Sequence, residues 1–238
     1  MTDDAGVTAA GKWHFEYANT FADLPKNASP NLRQDASNFV VQYGLCERLE
    51  VNVDFPLIYI QNAPRSSIGD VFGLGDVDFA AKWNLVSEEA GRTHPAFTFS
   101  AAIEIPTGSE KKQLGSGIAD YLVNLIVEKS VGTATVVHGN AGVQFAGNTA
   151  TGAVGIRTPG VIYSAGLSMA HDFSSRIRLG LDLNAAEVHD GGPLERQIQL
   201  TAGGSWAVLS QDSVNFAVLV GWDRAPRAGV IFGFSLTP

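Results

Sequence analysis

Apolar and polar residues alternate along almost the whole chain. In residues 176–184, which read RIRLGLDLN, an aliphatic side chain occupies every second position and a charged, polar or glycine residue stands between. A period of two places successive side chains on opposite faces of a β-strand, whereas a helix needs apolar residues three and four positions apart. Helical spacing is almost absent, so the pattern predicts an all-β protein.

The alternating segments are long. A strand of a globular protein has about 5 or 6 residues, whereas a membrane-spanning strand needs about 9 to 11. The segments of this chain run to roughly 10 to 15 residues, which is the membrane-spanning length. About twelve segments are predicted, at residues 12–22, 34–45, 48–61, 73–86, 96–105, 118–130, 133–146, 160–172, 176–184, 196–209, 214–222 and 230–236.

The connections between segments alternate in length. Membrane barrels with an even number of strands have short periplasmic turns and longer outer loops. We therefore predict a single antiparallel transmembrane β-barrel of about 12 strands over residues 12–238, preceded by a flexible segment at 1–11. Connections 87–95 and 223–227 fit the alternation less well. The short connections are 44–47, 130–133 and 173–175, and the long ones are 23–33, 62–72, 106–117, 147–159 and 187–195.

The apolar face is predicted to contact membrane lipid. The chain is 45% hydrophobic but only 17% charged, below the usual quarter of charged residues in soluble proteins. The opposite faces are rich in small and polar residues, which suits a curved barrel interior. Aromatic residues near segment ends resemble interfacial girdles, namely Trp13, Tyr59, Trp83, Tyr121, Trp206 and Trp222. A soluble ligand-binding β-protein with an apolar core is the alternative.

The polar faces carry the candidate lumen-lining residues. Charged side chains that face a lumen can select ions and polar solutes, and the alternative is a packed ion network that maintains the barrel's shape. The predicted lumen-lining residues are Glu50, Asp54, Asp76, Asp78, Lys82, Glu104, Glu128, Asn140, Arg176, Arg178, Asp182, Gln197 and Gln199.

Several kinds of chemistry find no support in the sequence. The net charge is −8 and no basic cluster occurs, which argues against nucleic acid as a partner. Cys46 is the sole cysteine, and neither G-x-S-x-G nor H-E-x-x-H is present, so we expect no enzyme activity, catalytic residue, metal site or cofactor. His138, with Ser164 and Ser168 on the next segment, is the only hydrolase candidate considered, and we interpret His138 as a lumen or rim residue.

Short motifs spread over residues 34–236 resemble one family, the bacterial outer-membrane transporters described as "putative meta-pathway of phenol degradation protein". This resemblance implies an outer-membrane barrel that moves small, often aromatic or hydrophobic compounds. The motifs are Gly73-Leu74-Gly75-Asp76, Lys82, Ile105-Pro106-Thr107-Gly108, Gly115-Ser116-Gly117, Asp120 and Asn140-Ala141-Gly142, together with Tyr43-Gly44-Leu45, Arg48-Leu49-Glu50-Val51 and Asp54-Phe55-Pro56.

We therefore expect a passive channel for small organic solutes in the bacterial outer membrane, with the barrel-assembly machinery as a partner during biogenesis. The alternatives are a plugged structural or ligand-binding barrel and, third, a membrane-embedded lipid hydrolase. Residues 1–11 lack the basic and apolar regions of a signal peptide. We therefore expect a mature or engineered form, or a start that lies upstream.

Overall fold

A computed structural model describes residues 4–23, 33–61, 69–88, 93–145, 160–189, 195–209 and 212–238. These ranges contain thirteen strands and a 3-10 helix at Glu110–Lys112. The strands are β1 (Trp13–Asp23), β2 (Arg33–Cys46), β3 (Leu49–Gln61), β4 (Val71–Leu74), β5 (Val77–Val86), β6 (Ala96–Ile105), β7 (Asp120–Val131), β8 (Thr135–Phe145), β9 (Val161–Asp172), β10 (Ile177–His189), β11 (Glu195–Ala207), β12 (Ser213–Asp223) and β13 (Ala228–Leu236).

The sheet closes on itself. Neighbouring strands pair antiparallel in chain order, and β1 completes the ring by pairing with β13 over Phe15–Asp23. Both β4 and β5 pair with β3, β4 along its second half and β5 along its first half. They therefore act as one strand interrupted at Gly75 and Asp76. The structure is a closed antiparallel barrel of twelve strands, as predicted from the alternation.

The two faces of the wall differ in the predicted way. On β5, the side chain of Trp83 is 54% exposed, whereas its neighbours Lys82 and Asn84 are 7% and 6% exposed. Large apolar residues are exposed in the same alternating manner on the other long strands. Because the sheet is closed, the exposed apolar side chains form its outer surface and the buried polar ones face the lumen. No helix among the described residues is long and apolar enough to span a membrane.

The two ends of the barrel are distinct. We call the end that carries the connections at 47–48, 132–134 and 173–176 the turn end, and the opposite end the loop end. Predicted loops fall largely outside the described residues, at 24–32, 62–68, 146–159 and 190–194. Exposed aromatic residues flank the apolar surface at both ends, with Trp13, Trp83 and Trp206 at the turn end and Tyr59, Tyr121, Tyr163 and Trp222 at the loop end.

Two features of the strand pattern differ from the sequence prediction. The fourth segment starts earlier, at Val71, and breaks at Gly75 and Asp76, where the chain turns inward to bind a loop. Arg176, predicted on the ninth strand, lies in the turn 173–176, because β10 pairs with β9 and β11 only from Ile177 onward. Alternation continues through a turn and therefore cannot by itself locate a strand end.

Glu88, at the start of the connection between β5 and β6, is bound to the turn end of β7. Its carboxylate accepts hydrogen bonds from Lys129 Nζ and from the backbone N–H of Ser130 (2.9 Å). The hydrogen bond from Lys129 is the main reason that the pKa of Glu88 falls to about 2. This charged contact fixes Glu88 against the hairpin between β7 and β8.

We expect Leu183→Arg to prevent stable insertion, because Leu183 lies on the outer face of β10 with 47% of its surface exposed. An arginine facing lipid near the membrane centre costs about 2–4 kcal/mol. Asn184→Arg changes the adjacent residue, which faces the lumen, and serves as the matched control. The measurement is the folded fraction in lipid vesicles, read from heat-modifiable gel migration across a urea series. Equal folding of the two variants would contradict the assignment of the faces.

Candidate functional site in the barrel lumen

Residues 4–12 enter the lumen at the turn end. Ala5 is 1% exposed and packs with Ala96 and Ile126 on the inner wall. Its carbonyl oxygen accepts hydrogen bonds from Asn84 Nδ2 (3.1 Å) and Thr98 Oγ1 (2.7 Å). The chain continues along the wall to β2, where the Gly11 N–H donates to the carbonyl oxygen of Gly44 (2.8 Å). The segment therefore lies inside the lumen along one side of the wall, from β7 past β6, β5 and β3 to β2.

Three of the predicted lumen residues hold this segment. Glu50 Oε2 accepts hydrogen bonds from the N–H (2.6 Å) and the hydroxyl (2.7 Å) of Thr8. Glu128 Oε2 accepts one from the Ala5 N–H (3.0 Å), and Lys82 Nζ lies 3.2 Å from an Asp4 carboxylate oxygen. That residues 1–11 are flexible stays a prediction about motion, whereas the contacts show where residues 4–11 lie.

Four carboxylates form a row on the inner wall, which we call the acidic belt. Asp54 on β3 lies directly opposite Asp78 on β5, Asp78 opposite Glu104 on β6, and Glu104 opposite Asp120 on β7. Side chains at directly opposite positions have their Cβ atoms about 4.5–5.5 Å apart. The belt borders a cavity of about 310 Å³ that Asn52 and Gln144 also line.

Like charges at directly opposite positions destabilise a sheet. The acidic belt repeats this arrangement three times. Asp54, Asp78 and Glu104 are among the predicted lumen-lining residues, whereas Asp120 is not. The alternation of the sequence could have identified Asp120 as an inner residue, because it lies on the same even-numbered face of its segment as Glu128. Among the described residues, no group of three or more His, Cys, Asp or Glu is placed to hold a metal ion.

Asp76 joins the interrupted strand to the loop at 106–119. Its two carboxylate oxygens accept hydrogen bonds from the backbone N–H groups of Gly108 and Ser116, both at 2.8 Å. Thr107 Oγ1 adds a hydrogen bond to the carbonyl oxygen of Gly75 (2.8 Å). The dispersed glycine motifs thus meet at one place, and Asp76 binds a loop rather than lining an open lumen.

We expect Gly115→Ala to release this loop. A Cβ at this position would lie 2.2 Å from Asp76 Oδ1, closer than real Cβ contacts allow. Losing a hydrogen bond to a charged group costs about 1.5–3 kcal/mol, so local opening and tryptic cleavage at Lys111 and Lys112 should accelerate about tenfold or more. Gly139→Ala is the control, because its nearest neighbouring atom is 3.9 Å away. Identical cleavage rates would show that Asp76 does not secure the loop.

The remaining predicted polar residues lie on β8, β10 and β11. Asn140 on β8 and Gln197 and Gln199 on β11 line a cavity of about 180 Å³. Asp182 on β10 is buried and accepts a hydrogen bond from Asn184 Nδ2 (2.9 Å). None of these residues belongs to the acidic belt, because β10 and β11 lie across the barrel from β3 and β5.

Two arginines occupy the turn end. Arg178 forms a two-pronged contact with Asp172, with nitrogen–oxygen distances of 2.6 and 3.0 Å. Arg176 is exposed in the turn before β10, and both arginines line a cavity of about 340 Å³ with Ser174 and Ser205. Asp172 and Asp212 line the same cavity, so both signs of charge occur at this part of the rim, whereas the belt is acidic. Contact between the predicted lumen-lining residues and a passing solute remains a prediction.

The residues of the hydrolase alternative form only part of a catalytic site. His138 lies opposite Glu128 on one side and Ser168 on the other, and its Nδ1 is 3.3 Å from Glu128 Oε2. A nucleophilic serine needs a hydrogen bond to its base, and none joins Ser168 to His138 in the described part of the chain. Glu128 is instead engaged by the N-terminal segment through Ala5.

Solved structures with a similar fold include outer-membrane channels and porins. The COG4313 outer membrane channel from Pseudomonas putida F1 is similar with a TM-score of 0.74 and 12% identity, over 100% of this chain and 99% of the other. A KdgM porin in complex with disordered oligogalacturonate gives 0.61 and 8% over 93% and 97%. The CymD monoaromatic hydrocarbon channel gives 0.52 and 10% over 97% and 88%. At these identities the similarity shows the fold.

The sequence comparisons identify the family. No curated protein sequence matches the chain significantly. A family model matches residues 33–236, which is most of the chain and includes the Asp76 loop, the acidic belt and the 180 Å³ cavity. The chain therefore belongs to the family described as "Putative MetA-pathway of phenol degradation".

Proposed function

We propose that this protein is an outer-membrane channel for the passive uptake of small organic solutes, aromatic compounds among them. The observation that carries the proposal is the lumen itself. A closed barrel with an apolar exterior encloses polar cavities of about 310 and 180 Å³ instead of a solidly packed interior. These volumes match small molecules. The family description and the monoaromatic hydrocarbon channel among the similar structures support organic solutes.

The proposal assigns no chemical reaction to the protein. Its described residues offer polar walls and charged side chains but no serine hydrogen-bonded to His138. In the proposed channel these side chains bind and orient a solute transiently as it diffuses. The short turns, Arg176 and the N-terminal segment then face the periplasm, following the orientation of bacterial barrels.

The acidic belt gives the proposed channel a preference among solutes. Carboxylate rings attract cations and repel anions, and the effect is strongest where low-dielectric walls focus the field. Neutral and cationic solutes should therefore pass more readily than anionic ones. The predicted lumen residues Asp54, Asp78 and Glu104 would act through their charge, without each binding the solute directly.

One observation favours a second function, a plugged ligand-binding barrel. Residues 4–12 lie inside the lumen along its wall at the turn end, and Ala5 is fully buried there. In this alternative a solute enters from the loop end, binds in the lumen and leaves by the same route. The two functions differ in whether a solute crosses the barrel.

The test is conductance of the refolded protein in a planar bilayer, together with uptake of neutral solutes by protein-containing vesicles. We expect stepwise currents, solute uptake above that of protein-free vesicles, and current interruptions when an aromatic solute is added. A correctly folded, heat-modifiable barrel that gives neither current nor uptake would overturn the channel and favour the plugged barrel.

A further inference from the structure

The outer wall carries a polar patch on β1 and β2. Away from the strand ends, the outward positions of the other described strands hold aliphatic, aromatic or small side chains. Asn19 interrupts this pattern, because it lies directly opposite the outward-facing Phe232 on β13. Ser37 lies opposite Asn19 on β2, and Asp35 lies opposite the outward-facing Tyr59 on β3. We call Asn19, Asp35 and Ser37 the outer polar patch.

The outer polar patch lies at the level of the membrane. Trp13 and Tyr43 pack together at the turn end, with ring centroids 4.6 Å apart, and mark one edge of the apolar surface. A strand tilted by about 40° rises about 2.6 Å per residue along the barrel axis. Asn19 therefore lies roughly 16 Å above Trp13, and Asp35 roughly 21 Å above Tyr43. Because the apolar band of a membrane barrel is about 25 Å tall, the patch occupies the part nearest the loop end.

The residues of the patch are joined by hydrogen bonds. Asn19 Nδ2 donates to Asp35 Oδ1 and to Ser37 Oγ (3.0 Å), and the hydroxyl oxygens of Ser37 and Tyr17 are 3.3 Å apart. Within the described part of the chain, no group donates a hydrogen bond to Asn19 Oδ1 or Asp35 Oδ2. Polar groups that face hydrocarbon are costly, because an alkyl chain offers no hydrogen bond. We therefore expect the lipid beside the patch to supply hydrogen-bond donors.

The surroundings of the patch match a sugar headgroup that carries phosphate. Sugar hydroxyls can donate to the free amide and carboxylate oxygens. Tyr59, beside Asp35, is 39% exposed and offers an aromatic surface. Arg33 is exposed at the loop end, two residues beyond Asp35 on the same face of β2. Because a guanidinium group binds phosphate oxygens through paired hydrogen bonds, the wall offers acceptors first and then a cation towards the loop end.

We propose that the outer polar patch and Arg33 bind the headgroup of a phosphorylated glycolipid in the outer leaflet. The sugar hydroxyls donate to Asn19 and Asp35, and a phosphate lies against Arg33. The acyl chains cover the neighbouring Phe21 and Phe232, which are 41% and 56% exposed. This inference takes from the proposed function the orientation that places the loop end outside, and it does not depend on transport.

A second copy of the chain suits this surface less well than a glycolipid. In a two-fold symmetric contact, a surface patch faces the same patch of its partner. The carboxylates of Asp35 from both copies would then lie close together, and like charges repel. A phosphorylated glycolipid instead brings donors to Asp35 and a negative charge to Arg33.

Native mass spectrometry of the refolded full chain in detergent tests the proposal with three lipids. The first is a diphosphorylated diglucosamine lipid. Phosphatidic acid carries phosphate without sugar, and phosphatidylethanolamine carries an ammonium donor without sugar. We expect one saturable site for the glycolipid, with an affinity about tenfold or more above that for either phospholipid.

Asn19→Val removes the amide from the outer face and should weaken glycolipid binding about three- to tenfold. Asn38→Val is the matched control, because Asn38 follows Ser37 on β2 and faces the lumen. Arg33→Gln should weaken binding of the diphosphorylated lipid but not of phosphate-free glucosyl diacylglycerol. In phosphatidylcholine vesicles, Asn19→Val should resist urea at least as well as the unchanged protein, because it removes a polar group from the lipid face. A structural role alone predicts lower resistance.

Equal binding of phosphatidic acid or phosphatidylethanolamine would overturn the sugar site and assign the surface to phosphate or to an amine. Dimers without bound lipid would assign it to a second copy, and an unchanged affinity of Asn19→Val would also overturn the proposal. A variant that does not fold is recognised by gel migration, and the lipid series on the unchanged protein still decides. Conductance is measured on the same preparations. Current without selective glycolipid binding rejects this site alone, whereas selective binding without current or solute uptake rejects the channel alone.

Discussion

Deleting residues 2–9 is expected to raise the single-channel conductance about twofold or more. Twelve strands give a lumen about 14 Å wide once inward side chains are counted. A chain lying along one side of this opening covers a strip about 5–10 Å wide, or roughly half of its area. The deletion removes Asp4, Ala5 and Thr8 but leaves Gly11 to bond with Gly44, so β1 keeps its anchor on β2.

A reversible tether provides the control for the deletion. Ala5 and Ala96 are buried together on the inner wall, so cysteines at both positions, in a Cys46→Ser background, should form a disulfide that holds the segment in place. We expect low conductance in the oxidised protein and a return to wild-type behaviour on reduction. Unchanged conductance after the deletion would show that the segment does not limit flow and that the narrowest part of the lumen lies elsewhere.

Neutralising the acidic belt is expected to abolish most of the cation preference. The variant carries Asp54→Asn, Asp78→Asn, Glu104→Gln and Asp120→Asn, which keep shape and remove the four carboxyl groups from adjacent strands. The reversal potential in a potassium chloride gradient should move close to zero. Because the Debye length falls from about 10 Å at 0.1 M to 3 Å at 1 M, the wild-type preference should be stronger at low salt.

A control variant and a measurement of heat resistance separate selectivity from stability in this experiment. Glu187→Gln removes one carboxylate from β10 that pairs with Arg196 (2.9 Å) at the loop end, outside the acidic belt, and should leave the reversal potential unchanged. Removing like charges at directly opposite positions should also preserve or increase resistance to heat. A belt variant that keeps the wild-type reversal potential would show that other groups set selectivity, such as Arg176 and Arg178 at the turn end.

Most of the barrel could be predicted from the sequence, because each strand repeats the same local requirement. Leu181 and Leu183 must face lipid and Asp182 must not, and this requirement appears directly as a period of two. The length of the segments and the alternation of their connections then distinguish a membrane barrel from a sandwich. Glycines stand at the break at Gly75 and Asp76. The contacts made there involve Gly108 and Ser116, which lie more than thirty residues away along the chain.

The composition of the lumen depended on the tertiary structure. Strand register, which alternation cannot supply across loops, brings Asp54, Asp78, Glu104 and Asp120 into one row. It likewise places Asn140 and Gln197 in the lining of one cavity, although they are far apart in the sequence. Residues 4–12 show no strand pattern, so only the contacts of Ala5 and Thr8 place this segment inside the lumen. Alternation thus determined which face each side chain occupies, whereas closure of the barrel decided which side chains meet, because hydrogen-bonded register is a property of strand pairs and not of single strands.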